Sequence, residues 1–242
     1  MSDALRALGA QAILFPTIEI AAPPDENLIR RAIENLSSYQ WLLFTSINAV
    51  NRFFYYLNQD FDTASNFPQI AVVGPATAKA VEAYGATVSL MAEAFQQEGI
   101  LDVFASLPHA QTSPTRVLLP RALEARDVLE KHLPQLGYEL TVVPVYQTIC
   151  AQRTAEEVSS VAGADGIVFT SPSTLRNFIK IMDDHSKESA LRFLQNIDIF
   201  SIGPITTGEL HKISALRDYS RLYEAHESTG KSLIRLISVT YA

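Results

Sequence analysis

The sequence predicts an α/β protein made of two similar parallel-sheet domains joined by a two-stranded β linker, with the N-terminal strand of one domain missing. Three observations lead to this fold class. Short apolar runs alternate with helical periodicity, the chain repeats itself once, and two Pro-containing segments occupy equivalent places in the repeat. A chain of 242 residues is long enough for two domains of ordinary size.

The predicted strands are short apolar runs separated by helical segments, which is the pattern of a parallel sheet. They cover residues 12–15, 41–45, 70–73, 87–90, 116–120, 139–143, 166–170, 197–202 and 220–223. The runs WLLFT and GIVFT are continuously apolar, as expected for strands covered on both faces. The helices between them carry apolar residues at helical spacing, and Pro75, Pro172 and Pro204 suit a first helical position.

Three segments occur twice in the same order. Thr45-Ser46 aligns with Thr170-Ser171 at an offset of 125 residues. VVGPATAKAVEAYG (from residue 72) aligns with SIGPITTGELHKIS (from 201) at 129, and EAFQQEGIL (from 93) with EAHESTGKSL (from 224) near 131. The slowly growing offset indicates two homologous halves with small insertions.

A fourth pair lies at the other end of the repeat. LPQLGYELTVVPVYQTI (133–149) aligns with LRALGAQAILFPTIEI (5–20), which places Gly137 opposite Gly9. In the later copy a strand at residues 117–120 precedes this segment, and the earlier copy has no counterpart to it. The first domain of the chain, domain A, is therefore expected to lack its N-terminal strand, either because this sequence begins late or because the strand has been lost.

Two segments with the composition of linkers divide the chain. They are about 16–25, which is extended and then Pro-rich, and 142–149, which is β-branched and interrupted by a proline. Because they are equivalent in the repeat, we expect them to run side by side. Domain A then comprises residues 1–20 and 147–242, and domain B comprises 25–142. A discontinuous domain enclosing a continuous one leaves a cleft, where we expect the ligand.

The bulk composition excludes several classes of protein. A formal net charge of −7 argues against nucleic acid as a partner, because phosphate binding usually requires a basic face. No apolar run has the length of a membrane span, and the start MSDALRALGAQ lacks the pattern of a signal peptide. One cysteine and five scattered histidines show no metal-ligand spacing. We expect a cytoplasmic protein without a bound metal.

The repeated strand–helix corners carry hydroxyl residues where a strand's carboxyl end meets a helix N-terminus. Ligands of open α/β sheets bind at this edge, and helix N-termini attract carboxylates and phosphates. Simple capping of the helix is the alternative role for each hydroxyl. The candidate anion-binding residues are Thr45, Ser46, Thr77, Thr170, Ser171 and Thr206.

Other polar side chains are candidates with an ordinary structural alternative. Tyr146 lies in the second linker and could donate a hydrogen bond to a leaving group, or simply pack on a β-ladder. Arg121 and Arg126 follow the strand at 116–120 and could pair with carboxylates, or simply be a solvated helix start. Lys79 and Arg176 lie one turn into two of the corner helices, with the same two alternatives.

Six motifs occur in order along the chain: FTSxxAVxxF, VVGPATAxAVExxG, VLLPRALEARDVLEKHLPQLG, VYQT, VFTSPSxLxNF and IGPxTxxxL. Taken together, they resemble the uroporphyrinogen-III synthase family. No single motif is specific, but the ordered set covers nearly the whole chain. The resemblance implies two α/β domains joined by a two-stranded linker, in agreement with the repeat.

The resemblance also implies a reaction. The family closes hydroxymethylbilane, a linear tetrapyrrole with eight carboxylates, into uroporphyrinogen III, with loss of water and inversion of ring D. No cofactor is used. The proposed path loses the ring A hydroxyl, forms a spiro intermediate at ring D, then fragments and recloses. Without enzyme the same substrate closes without inversion to the type I isomer. The enzyme must therefore hold one conformer of a flexible chain.

The family's functional residues fall on positions already singled out. The serine of its FTS motif falls on Ser46 and Ser171, its GxxT threonine on Thr77 and Thr206, and its leaving-group tyrosine on Tyr146. A phenol is a weak acid at neutral pH, so a carboxylic acid of the substrate would also assist the departure of the hydroxyl. The resemblance implies a small-molecule polycarboxylate as the partner, a monomer, and transient contact with the enzyme that makes hydroxymethylbilane.

The family begins with a strand of the type VLVTRP, and nothing in this sequence matches it, as the repeat also indicates. An absent strand would expose a sheet edge in domain A. The second hypothesis is therefore a catalytically inactive tetrapyrrole- or anion-binding module of the same fold, and turnover distinguishes it from the enzyme.

Overall fold

The structure is a computed structural model that describes residues 1–60, 67–94, 96–107, 114–185 and 190–241, without the side chains of residues 59 and 60. It divides into two compact units. Unit 1 comprises Met1–Glu19 and Ile149–Ala242, and unit 2 comprises Ile20–Thr148.

Helices and strands alternate along most of the chain. In order they are α1 (Ser2–Ala7), β1 (Ile18–Ala21), α2 (Asn27–Glu34), β2 (Trp41–Phe44), α3 (Ile47–Asp60), β3 (Gln69–Val72), α4 (Pro75–Ala83), β4 (Val88–Met91), α5 (Gln97–Ser106), β5 (Thr115–Ala122), α6 (Val128–His132), β6 (Tyr138–Cys150), α7 (Ala155–Ser160), β7 (Gly166–Phe169), α8 (Pro172–His185), α9 (Ala190–Leu194), β8 (Asp198–Ser201), α10 (Pro204–His211), β9 (Leu222–Glu224) and α11 (Gly230–Thr240).

Unit 2 is built on a sheet of strand order β1-β6-β5-β2-β3-β4, in which the neighbouring pairs β6–β5, β5–β2, β2–β3 and β3–β4 are parallel. Its central strand β2 is buried along its whole length because helices cover both faces. Leu42 and Phe44 pack with α2, α3 and α4 on one face, whereas Trp41 and Leu43 pack with α5 and α6 on the other. The strand period of two thus divides one apolar run between two cores.

Unit 1 has a smaller parallel sheet of strand order β7-β8-β9. Phe169 and Ile199 pack with α8, α9 and α10 on one face, and Phe200 packs with α11 on the other, joined by Leu5 of α1. The aligned glycines confirm the repeat at the level of backbone geometry: Gly9 and Gly137 have left-handed φ values of 87° and 86°. Each follows a short helix and turns the chain toward the next segment.

The predicted strand at 12–15 is wrong, because these residues form no strand in the structure. Their counterpart in unit 2, the start of β6, pairs with β5, and β5 also pairs with β2. Among the described residues of unit 1, β7 has a strand neighbour on one side only. A segment without a pairing partner cannot form a ladder. Ile13 and Leu14 are accordingly 42% and 68% exposed.

The two segments that sequence analysis assigns to linkers contain β1 and the C-terminal part of β6, which are neighbours in the sheet. The Gln147 side chain donates to the Ala22 carbonyl at 2.9 Å, and the Ala151 N–H donates to the Thr17 carbonyl at 3.0 Å. Strand β6 is much longer than the predicted 139–143, because it continues to Cys150 after its pairing with β5 ends.

Candidate functional site

The first corner of unit 2 lies between β2 and α3. The Ser46 hydroxyl accepts a hydrogen bond from the Ala49 N–H at 3.2 Å, so Ser46 caps the N-terminus of α3. Thr45 and Ser46 are both half-buried. This cap leaves the second lone pair and the proton of the Ser46 hydroxyl available to another partner.

Tyr146 supplies a neighbour to this hydroxyl. Its Oη atom lies 3.4 Å from Ser46 Oγ, although the two residues are 100 positions apart. The Tyr146 ring packs in the core beside α3 and is 8% exposed, and its carbonyl accepts from the Leu123 N–H at 2.8 Å. The packed ring therefore places the phenol at the N-terminal end of α3, where the helix dipole favours negative charge.

The second corner of unit 2 joins β3 to α4. The Val73 N–H donates to the Phe44 carbonyl at 3.1 Å, which brings this corner alongside the first. Gly74 caps α4 and Pro75 begins it, as predicted. Thr77 lies in the first helical turn, is 6% exposed, and its N–H donates to the Gly74 carbonyl at 3.1 Å.

Unit 1 repeats both corners with different details. Ser171 caps α8 by accepting from the Thr174 N–H at 3.2 Å, and its hydroxyl also contacts those of Ser173 at 3.0 Å and Thr174 at 2.6 Å. The counterpart of Tyr146 in the repeat is Ile18, so Ser171 has serine and threonine neighbours in place of a phenol. The repeat is symmetric in fold but not in chemistry.

A cavity of about 310 Å³ lies where the two corners of unit 1 meet, close to the lower end of the range of about 300 to 1,000 Å³ typical of small-molecule sites. The predicted residues Thr170, Ser171 and Thr206 all line it. Thr206 is 2% exposed, and its hydroxyl makes no hydrogen bond to another described residue. The Ile202 N–H donates to the Phe169 carbonyl at 3.0 Å and so holds the two corners together.

Ser228 also lines this cavity, and sequence analysis did not single it out. Any side chain at Gly203 would collide with Ser228 Oγ, so the hydroxyl lies directly over the backbone of the GPIT turn. The repeat held a signal for it, because Ser228 falls in the third repeated segment, between Glu224 and Gly230.

The arginines that sequence analysis proposes for carboxylate binding all meet glutamates. Arg121 is 7% exposed and pairs with Glu130, while Arg126 lies 3.4 Å from Glu98. Arg176 donates to Glu209 at 2.7 Å. A substrate carboxylate would therefore compete with an internal partner at each of these positions. Lys79 is exposed on α4.

The pKa of the Glu209 carboxyl is lowered by its hydrogen bond from Lys212 and then by that from Arg176. This carboxylate is therefore ionised at neutral pH, and it lies in the second turn of α10, where Arg176 and Lys212 offset its negative charge. No group of three or more His, Cys, Asp or Glu side chains that could hold a metal occurs within the described ranges. In the same part of the chain, no helix is both long and apolar enough to cross a bilayer.

These features define a two-unit α/β protein in which helix N-termini and hydroxyls gather at the carboxyl ends of parallel strands. Within that class, the chain belongs to the uroporphyrinogen-III synthase family: the family model described as "Uroporphyrinogen-III synthase HemD" matches residues 1–235.

Individual relatives agree with this assignment. The uroporphyrinogen-III synthase of Synechococcus elongatus is 30% identical over 208 residues, which cover 84% of this chain and 77% of that protein. A putative uroporphyrinogen-III synthase of Methanothermobacter thermautotrophicus is 29% identical over 221 residues, covering 88% of this chain and 85% of that protein. The crystal structure of uroporphyrinogen-III synthetase from Helicobacter pylori shares the fold, with a TM-score of 0.58 at 19% identity and 97% coverage of both chains.

Proposed function

We propose that this protein is a uroporphyrinogen-III synthase, a cyclising hydro-lyase that converts hydroxymethylbilane to uroporphyrinogen III with inversion of ring D. Family membership supports an enzyme of tetrapyrrole synthesis. The observation that carries the finer assignment is the pair formed by Tyr146 and Ser46 at the N-terminus of α3, with the two hydroxyls 3.4 Å apart.

The first step breaks the bond between the hydroxymethyl carbon of ring A and its oxygen. The oxygen leaves as water after taking up a proton, and the electron pair of the ring nitrogen stabilises the resulting cation. In our proposal Tyr146 donates a hydrogen bond to the departing oxygen. A carboxylic acid of the substrate supplies the proton, since a phenol is too weak an acid to do so alone at neutral pH.

The next steps require the pyrrole rings to be held in position, and they require no further acid catalyst. The substituted carbon of ring D attacks the cation to give the spiro intermediate, which fragments, recloses at the other carbon and loses a proton to restore the pyrrole. Closure without inversion competes throughout. The protein must therefore hold the rings so that the attack from the substituted carbon is faster.

The substrate's carboxylates are the groups by which the protein can bind and orient it. With a formal net charge of −7, the protein cannot attract a polyanion through its overall field. Local donors must do so, and we assign this role to Thr45, Ser46 and Thr77 in unit 2 and to Thr170, Ser171 and Thr206 in unit 1. Arg121 joins them if a substrate carboxylate displaces Glu130. We further propose that the protein acts as a monomer and receives its unstable substrate by transient contact with the enzyme that makes it.

The test is turnover with product analysis. Hydroxymethylbilane is generated in situ, the products are oxidised, and the type I and type III isomers are separated by chromatography. The proposal predicts mostly type III, in proportion to the amount of this protein. Type I alone, at the rate of the blank, would instead support an inactive binding module.

A further inference from the structure

The unit 1 cavity differs from an ordinary anion site in having a large apolar side chain at its edge. Ile205 lines the cavity and is 80% exposed, the highest value among the exposed large hydrophobic residues of the described ranges. Exposing most of an isoleucine to water is unfavourable because its apolar surface stays hydrated. Something that covers Ile205 would remove this cost.

The polar part of the same cavity is equipped for a carboxylate. The Thr206 hydroxyl has no hydrogen-bond partner among the described residues, although the residue is 2% exposed. The Ile205 N–H, in the first turn of α10, makes no backbone hydrogen bond to any described residue. Ser171 and Ser228 add two more hydroxyls. An anion bound here would satisfy donors that the fold leaves open.

A simple inorganic anion needs only the donors, whereas a carboxylate attached to a flat apolar ring would use the isoleucine as well. The cavity volume of about 310 Å³ is sufficient for one substituted pyrrole. Unit 2 is different at the equivalent place: the repeat aligns Ile205 with Ala76, which has too short a side chain to cover a ring. The two units therefore offer different surfaces to the substrate.

We infer that the unit 1 cavity takes one carboxylate-bearing pyrrole of the substrate, and that Ile205 packs on that ring as a positioning residue. This inference rests on the proposed function and adds to it a subsite and a source of isomer selectivity. The carboxylate meets Thr206 and the N-terminus of α10, and the ring face meets Ile205. Fixing one ring in this way restricts the conformers from which ring closure can begin.

The kinetic test compares Ile205→Ala, the conservative Ile205→Val and the control Val239→Ala. Val239 is also strongly exposed, at 72%, but lies near the end of α11 and outside the cavity lining. We expect Ile205→Ala to raise KM about tenfold, the usual effect of removing methyl groups from a hydrophobic contact, and to lower the type III fraction. Ile205→Val should keep KM and the type III fraction close to their wild-type values. All three variants should unfold at the wild-type temperature.

The binding test is independent of turnover. Wild-type protein with ¹³C-labelled isoleucine methyl groups is titrated with porphobilinogen, a monopyrrole bearing acetate and propionate side chains, and separately with propionate alone. A saturable shift of the Ile205 methyl signals with the pyrrole only, weakened in Thr206→Val, supports the inference. Equal shifts with propionate, or a wild-type KM and isomer ratio in Ile205→Ala, would overturn it. Absence of type III product from the wild type would contradict the proposed function instead, and would leave the titration as the test of the pyrrole subsite.

Discussion

Replacing Tyr146 by phenylalanine removes one oxygen atom and leaves the packed ring in place. The only side-chain partner of this hydroxyl in the described structure is Ser46 Oγ, at the long distance of 3.4 Å. The change should therefore lower the free energy of unfolding by at most about 1 kcal/mol. If the phenol assists departure of the hydroxyl, its loss should lower kcat by roughly 100-fold, the lower end of the usual range for acid catalysis. That factor corresponds to about 2.7 kcal/mol of transition-state stabilisation.

The assay measures kcat and KM for hydroxymethylbilane together with the urea midpoint. Tyr138→Phe is the matched control, because Tyr138 also lies in β6, is 4% exposed, and donates its hydroxyl to the Phe104 carbonyl at 2.8 Å. We expect the control to lose about 1 kcal/mol of stability and no activity. KM should change little in Tyr146→Phe, since the hydrogen bond strengthens only in the transition state. An unchanged kcat in Tyr146→Phe would refute the leaving-group role, and an equal loss in the control would attribute the effect to strand β6.

Three further changes test other parts of the structure. Thr206→Val keeps the side-chain shape and removes the unpartnered hydroxyl, so KM should rise about tenfold while stability changes by less than about 0.5 kcal/mol; a stability loss at unchanged KM would favour a structural role. Gly203→Ala should lower stability through collision with Ser228, and Ser228→Gly should restore the stability in the double variant, whereas independent effects on stability would contradict the contact. Asp198→Asn should lower the free energy of unfolding by about 2 kcal/mol in urea at pH 7, because hydrogen bonds from Arg221 and Tyr241 hold the pKa of this carboxyl below its ordinary value of 3.8. A depressed pKa stabilises the fold above the ordinary value and loses that contribution as the pH falls through the folded-state pKa, so the wild type should lose more stability below pH 3.8 than the variant does.

Local rules predicted most of the fold correctly. Continuous apolar runs such as residues 41–44 became buried strands, because a strand covered on both faces needs apolar side chains in both directions. Pro75 and Pro204 begin helices where their missing N–H costs nothing. The repeat predicted which corners correspond, and Gly9 and Gly137 adopt the same left-handed backbone.

The predicted strand at 12–15 is wrong because strand formation requires a neighbouring strand to pair with, and an apolar sequence alone does not supply one. The same segment could be predicted correctly only by asking which strand would pair with it.

The chemistry of the corners depended on contacts between distant residues. The approach of Tyr146 to Ser46 joins residues 100 positions apart, and no local pattern contains it. The pairing of Arg121 with Glu130 likewise changes a candidate carboxylate binder into one that already has a partner. Sequence reasoning named the right residue types at the corners, whereas their partners required the packed structure.

The asymmetry between the two units could have been read from the repeat itself. Aligning the copies places Tyr146 opposite Ile18, and Ile205 opposite Ala76. Where the two copies of a repeat share the fold but differ in the side chain, the two units are candidates for different functional roles. The two asymmetric positions belong to the proposed leaving-group corner and to the proposed pyrrole subsite.

Inversion of ring D during closure of the macrocycle distinguishes the proposed enzyme from a binding module of the same fold. The most direct measurement uses hydroxymethylbilane carrying a ¹³C label in the acetate side chain of ring D, with the product's label position determined by NMR. We expect the labelled acetate and its neighbouring propionate to exchange places in the protein-dependent product. A labelled acetate that keeps its original position, at every protein concentration, would show that the protein does not invert ring D.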